Sequence, residues 1–262
     1  MLAPERHALI LQHLQSHGSA SLATLMELTG ASGSTLRRDL RELSTRDGAL
    51  RRTHGGVVSN LLDTATYEPP SQVAQHLHAE EKRAIGRAAA ELIDEGQSVV
   101  FDSGSTVVEA ARAVVGRGLG IIAITNDLTV AQILNGSARV RLIVTGGTVR
   151  HGSNTLHGFP GHVLLQEIQA DVMLLGAHAI SDEGLSESSI EIAEMKRRMM
   201  AAARRVILLA DASKFGRRAF ARICGLHEIH TLVSDKQPPE FILESMRESG
   251  AQFVMADQEL FS

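Results

Sequence analysis

Asp102-Ser103-Gly104-Ser105-Thr106 stands where an apolar run ends and an apolar-periodic stretch, 105–115, begins. Hydroxyls and a glycine at a strand-to-helix turn are what an anion site needs. Small side chains let a ligand approach the backbone, and the first-turn amides and the helix dipole favour negative charge. The implied chemistry is the seating of a phosphorylated small molecule. Further apolar runs end in similar loops: Thr125-Asn126-Asp127, Thr145-Gly146-Gly147 leading to Arg150, and Gly176-Ala177-His178-Ala179-Ile180. A fifth loop, Asp211-Ala212-Ser213-Lys214-Phe215-Gly216, carries a lysine. Lys214, and second to it Arg150, would supply positive charge at this rim. A glycine-rich strand exit is by itself often only a tight turn; it is the set of loops together that points to a ligand.

The elements that must hold these loops are legible as short apolar runs at 98–102, 120–126, 141–147, 171–177, 205–211, 231–235 and 252–256. Helical patterns at 82–95, 105–115, 127–134, 188–203 and 239–248 lie between most of them. Alternating strands and helices, with strands apolar almost throughout, predict an α/β domain whose mostly parallel sheet is covered on both faces. Such sheets bind ligands beyond the carboxyl ends of their strands, where these loops lie.

The first sixty residues have a different texture. Residues 5–18, 21–30 and 32–47 read as three short helices, with Ser21 as an N-cap and Gly18 and Gly30 as stops. Residues 48–59 hold a Gly55-Gly56 turn between two β-prone stretches, which predicts a hairpin. Leu36, Leu40 and Leu43 share one face of the third helix, and Arg37, Arg38 and Arg41 lie largely on the other. Two helices, a basic third helix and a basic hairpin make a winged helix-turn-helix, which sets one helix in the major groove of double-stranded DNA. Residues 1–59 form this domain, 60–79 with Pro69-Pro70 form a linker, and 80–262 form the larger domain.

Charge supports the division. Residues 1–60 carry seven Arg against five Asp and Glu, while the whole chain has a net charge of −4. Arg37, Arg38, Arg41, Arg46, Arg51 and Arg52 crowd the third helix and hairpin. Asp39 is the exception on that helix. A carboxylate facing phosphate would repel DNA, so it either orients an arginine or points away, and Asp39→Ala is expected mainly to misalign Arg38. No apolar run approaches the roughly 20 residues of a membrane span. The single cysteine, Cys224, excludes an internal disulfide, and the N-terminus lacks a secretory pattern, so a cytoplasmic location is expected.

These residues resemble the DNA-binding signature of the DeoR family of bacterial transcription regulators. Thr35, Arg37, Arg38, Asp39 and Leu40 match its recognition helix, and Arg52, His54, Gly55 and Gly56 match its wing. The resemblance runs over roughly 5–240 and includes the loops of the larger domain in the family's order. It implies an effector-sensing domain resembling sugar-phosphate isomerases, and a repressor of carbohydrate metabolism acting as a homodimer or homotetramer. It implies DNA contacts from Ser34, Thr35, Arg37, Arg38, Arg41, Arg51, Arg52 and His54. By the same resemblance Asp102, Ser103, Gly104, Ser105, Thr106, Thr125, Asn126, Gly146, Gly147 and Lys214 hold the effector. Ser103, Ser105 and Thr106 would serve the phosphate, and Asp102, Asn126 and Lys214 the hydroxyl or carbonyl end. Two positions depart from the family pattern. Ala179 replaces a glycine after the fourth strand, and Ile192 replaces a Glu four residues before Lys196.

An enzyme is the alternative. Asp102, Glu187 and Lys214 are the parts an isomerase would need, but no paired acids with a lysine assign a base, and a DNA-reading domain would be idle. No G-x-G-x-x-G or G-x-x-x-x-G-K-[ST] motif is present, so no nucleotide cofactor is expected. His76, His78, His151, His157 and His162 lack metal-ligand spacing and are read as loop or surface histidines.

Overall fold

Leu36, Leu40 and Leu43 recur at helical spacing because they close one small core; each is at most 4% exposed. The computed structural model describes residues 1–45, 50–53, 55–59, 68–150 and 152–256. The chain divides into two units, Met1–Ala79 and Glu80–Ser262. In the first, α1 (Ala3–His17), β1 (Ser19–Ser21), α2 (Leu22–Thr29) and α3 (Gly33–Thr45) precede the hairpin of β2 (Leu50–Arg52) and β3 (Gly56–Ser59). Ser21 caps α2 by accepting from the Thr24 amide at 3.0 Å. Gly30 then turns the chain toward α3 with φ 66°, a conformation costly for other residues. β1 also pairs with β3, so the wing is a three-stranded antiparallel sheet. Of the segment expected as a linker, 60–67 lies outside the described residues. Beyond it α4 (Ser71–Ala74) brings Val73, and Leu77 follows, into the core with Ile10, Leu11, Leu14 and Leu25.

The second unit starts with α5 (Ala79–Ala90), β4 (Ser98–Phe101), α6 (Ser105–Gly116), β5 (Ile121–Thr125), α7 (Leu128–Leu134) and β6 (Val140–Val144). A small hairpin, β7 (Thr148–Val149) with β8 (Leu156–His157), leads through α8 (Gly161–Gln166) to β9 (Ala170–Gly176). After β10 (Ala179–Ser181) and β11 (Gly184–Glu187) come α9 (Ile190–Ala201) and β12 (Ala203–Leu209). β13 (Ala221–Cys224), β14 (Thr231–Ser234), α10 (Glu240–Ser249) and β15 (Gln252–Met255) complete it.

Seven strands form one sheet in the order β15-β14-β12-β9-β4-β5-β6, every pair parallel. The seven expected strands are these seven. Both faces are covered: Val99, Phe101, Val172 and Leu174 pack toward α5, α6 and α7. Val100, Met173 and Leu175 pack toward α9 and α10. Alternate residues of each strand therefore serve different cores, which is why the strands are apolar throughout.

The chain leaves β4 for β5 and β6 on one side, then returns to β9 on the other side of β4 and continues outward. The switch point therefore falls between β4 and β9, and sheets of this kind bind ligands beyond the carboxyl ends of the strands at such a point. A second sheet, β10-β11-β13, is antiparallel and lies outside what the hydrophobic pattern had marked. Among the described residues no helix is long and apolar enough to cross a membrane.

Candidate functional site

On the first unit, burial of the leucines turns the opposite face of α3 outward. Ser34, Arg37, Arg38 and Arg41 are exposed, and Thr35 is half-buried. Ser32 sits before the helix and its hydroxyl lies 2.9 Å from the Thr35 hydroxyl. On the wing Arg51 and Arg52 are exposed, their strand held by Arg51↔Val58 and Arg52↔Val57. His54 and Arg46 lie outside the described residues. Asp39 points away from this surface: it is 3% exposed and accepts two hydrogen bonds from Arg6 of α1, at 2.8 and 3.1 Å. His7 lies 3.3 Å from the same carboxylate. Of the two expectations, pointing away from the DNA-facing surface holds, and the expectation that Asp39 aligns Arg38 is corrected. A bidentate guanidinium–carboxylate pair fixes α1 to α3 instead.

On the second unit, register brings the first two loops side by side, since Phe101 pairs with Thr125 at the ends of β4 and β5. The Asp127 carboxylate stands near the Gly104 backbone. Asp127 also caps α7, accepting from the Thr129 and Val130 amides at 2.7 and 3.1 Å. The start of α7 is therefore filled by its own carboxylate. α6 differs: its N-cap is Gly104, with no side chain to offer, so its first-turn amides remain available to an anion. Ser103 and Ser105 are half-buried there and Thr106 is 8% exposed. Beside them Thr125 and Asn126 are buried, and the Thr145 amide donates to the Thr125 carbonyl, drawing in Gly146 and Gly147.

At the switch point lies a buried ion cluster. Lys196 Nζ donates to Asp102 Oδ2 at 2.6 Å and to the Gly176 carbonyl at 2.7 Å, and lies 3.0 Å from Glu187 Oε1. The Gly176 amide donates to Asp102 Oδ2 at 3.0 Å. Lys196 thus bridges the ends of β4 and β9 at the switch point. It is 3% exposed, Asp102 1% and Glu187 5%. Burial opposes the charge on Lys196, yet Asp102 and Glu187 hold its pKa above the ordinary lysine value.

Lys214 stands elsewhere in the charge pattern. It lies in a short turn, Ala212–Lys214, after β12, within electrostatic reach of the buried Lys82 of α5, which also feels Asp211. Burial first, then Lys214, pushes the Lys82 ammonium down to about 8. The lysine that meets Asp102 is Lys196, which the loop-by-loop reading did not assign. Its signal was its position: it falls on the apolar stripe of α9 with Ile192, Ala193, Met195 and Met199. The two positions that depart from the family pattern lie here. Ile192 is buried on α9, and the second carboxylate of the cluster comes from Glu187 at the end of β11. Ala179 is an ordinary strand residue of β10, paired with Ser186, where no glycine is required. Among the described residues no group of three or more His, Cys, Asp or Glu is arranged to hold a metal ion, and His151 lies outside them.

Comparison with known proteins matches residues 6–61 to the DeoR-like helix-turn-helix domain and residues 77–236 to the DeoR C terminal sensor domain. The chain is 36% identical to the HTH-type transcriptional regulator GlpR of Haloferax volcanii, over 90% of this chain and 91% of that one. It is 30% identical to the HTH-type transcriptional repressor GlcR of Bacillus subtilis, over 99% and 98%. It is 32% identical to the L-fucose operon activator of Haemophilus influenzae, over 90% and 93%. Among solved structures it is similar to ribose 5-phosphate isomerase A of Methanocaldococcus jannaschii, at 16% identity over 53% of this chain and 55% of that one, TM-score 0.39.

Proposed function

This chain belongs to the DeoR family of transcription regulators, and on that premise we propose that it represses a carbohydrate operon and is released by a phosphorylated sugar. The carrying observation is the pairing in one chain of two surfaces: the exposed arginines of α3 and the wing, and the crevice at the β4–β9 switch point with the uncapped start of α6 above it. Arg37, Arg38 and Arg41 enter the major groove, and Arg51, Arg52 and His54 reach the adjacent backbone. The phosphate rests on the amides and hydroxyls of Ser103, Gly104, Ser105 and Thr106, and the sugar lies over Asp102, Asn126, Gly146 and Gly147. Lys214 approaches from the neighbouring rim. A single winged helix reads one half-site, so the working form is a homodimer or homotetramer on a paired operator.

Regulation follows from linkage. An effector with different affinity for the DNA-competent and incompetent states shifts the equilibrium between them, and operator DNA must weaken effector binding by the same factor, typically about 5- to 150-fold. The test is calorimetric titration of the full chain with a binding sugar phosphate, with and without its operator. Equal affinity in both titrations would contradict the mechanism.

The cluster of Asp102, Glu187 and Lys196 supports one competing reading, an isomerase, because a lysine and carboxylates are what enolisation requires. Against it, both carboxylates are committed to Lys196. NMR detection of aldose–ketose phosphate interconversion by the purified chain would establish that reading in place of the first.

A further inference from the structure

We infer that the crevice selects a polyhydroxylated sugar phosphate over a sugar-acid phosphate, and that His157 is the residue that reads one of the ligand's hydroxyls. This deepens the reading of the crevice as an effector site and rests on it.

Two buried acceptors lie side by side, one at the second loop and one on β8. Among the described residues Asn126 Oδ1 and His157 Nδ1 are buried and find no hydrogen-bond partner. Such orphaned groups are rare in folded proteins and mark places where another molecule completes the bonding. They are neighbours, because Asn126 Nδ2 donates at 3.2 Å to the carbonyl of Leu156, the residue before His157. That bond fixes the amide orientation and leaves Oδ1 as a bare acceptor.

The tautomer of His157 follows from a hydrogen-bond chain along the β7–β8 arm. Ser153 Oγ donates to the Arg150 carbonyl at 3.4 Å, so it accepts from Thr155 Oγ1, 2.7 Å away. Thr155 Oγ1, its proton used, accepts from His157 Nε2 at 2.9 Å. The ring proton therefore sits on Nε2, and Nδ1 of the neutral ring is an acceptor. Burial first, then Arg150, lowers the His157 pKa below the ordinary 6.5, which keeps the ring neutral. The charged and titratable groups around it are Arg150 on the arm, Asp102 on the floor, Glu191 on α9 and His162 on α8.

The surroundings repeat the pattern. The floor carries two carboxylates, Asp102 and Glu187, against the single ammonium of Lys196. At the rim Arg150 stands against Glu191, and the Lys214 ammonium is left to the neighbouring rim, away from the arm. A ligand seated beneath the arm meets bare acceptors and a floor with an excess of negative charge, so the end remote from its phosphate must donate hydrogen bonds. Hydroxyls do so, whereas a carboxylate would face acceptors and like charge.

Calorimetry on the full chain tests this with named probes: glucose 6-phosphate, fructose 6-phosphate, ribose 5-phosphate and glycerol 3-phosphate against 6-phosphogluconate and 3-phosphoglycerate. The tightest binder should be a polyol phosphate, with both acids at least about tenfold weaker. His157→Phe should weaken that binder about ten- to a hundredfold, the loss expected when a buried donor is left unpaired, and His157→Asn, which returns an acceptor near Nδ1, should recover part of it. Long-range nitrogen–proton NMR of the wild-type ring should show the Nε2–H tautomer. An acid as the tightest binder, undiminished binding by a folded His157→Phe chain, or an Nδ1–H ring would each overturn the inference. Failure of every probe to bind would instead overturn the effector-site reading beneath it.

Discussion

Replacing Lys196 by Met removes an ammonium that holds Asp102 Oδ2 at 2.6 Å, Glu187 Oε1 at 3.0 Å and the Gly176 carbonyl at 2.7 Å. The methionine fills most of the volume, so the cost is electrostatic. Two carboxylates that are 1% and 5% exposed are left without a counter-charge. Breaking one side of a buried pair costs about 3–5 kcal/mol. For a domain of this size 1 kcal/mol corresponds to about 2–4 °C, so the melting temperature should fall by about 6–20 °C. Without the lysine, the folded-state carboxyls have pKa values above those of the unfolded chain. The folded state then binds more protons than the unfolded one, so the deficit is small in acid and grows as pH rises through the raised values. Replacing all three, with Asp102→Asn and Glu187→Gln added, should recover most of the loss. Urea unfolding at about pH 5 and about pH 7.5 reads each step. A Lys196→Met chain within about 1 kcal/mol of the parent at neutral pH, or a deficit that shrinks as pH rises, would refute the assignment of the cluster as a buried ion triad.

Lys82, pushed down to about 8 from 10.5, releases its proton in the folded chain before the unfolded one does, so stability should rise across that interval of pH. Lys82→Met should flatten that rise and stabilise the neutral-pH protein by up to about 3 kcal/mol, measured by urea unfolding at both ends of the interval. Arg37→Ala or Arg38→Ala should weaken operator binding about tenfold to a hundredfold and reduce its salt slope. Asp39→Ala should act on stability, costing about 3 kcal/mol in a thermal melt through loss of the Arg6 pair; an unchanged melt with lost DNA affinity would contradict that division. Gly147 has φ 120°, and a Cβ there would lie 2.4 Å from the His157 carbonyl. Gly147→Ala should therefore displace the arm and weaken sugar-phosphate binding by at least about tenfold in calorimetry.

How far the sequence carried the account depended on whether a residue's role was local. The seven strands were legible because a strand buried on both faces is apolar along its whole length, as Val99-Val100-Phe101 is. Strands β10, β11 and β13 were not, since each has only three or four residues, and Ser181, Ser186 and Glu187 are polar yet buried. The outward arginines of α3 followed from the leucine spacing. The role of Asp39 did not, because its partner Arg6 lies 33 residues away on another helix. The first loop was legible as a strand exit, and Asp127 as a rival to a ligand was not, because only the structure sets its carboxylate on the α7 amides. Lys214 drew attention by standing at a strand exit, whereas Lys196 reaches the crevice from the side of a helix. A lysine on an apolar stripe was the available signal. His157 was read as a loop histidine, because a hydrogen-bond chain that fixes a tautomer has no counterpart in spacing.

Whether one chain both reads DNA and is released by a sugar phosphate is decided by fluorescence anisotropy at fixed salt. The probe is labelled DNA from upstream of the chain's own gene and its neighbours, with each sugar phosphate and its unphosphorylated counterpart added in turn. Tight binding that a sugar phosphate releases and the free sugar does not is the expected result. Weak, salt-sensitive binding that no phosphate changes would contradict it.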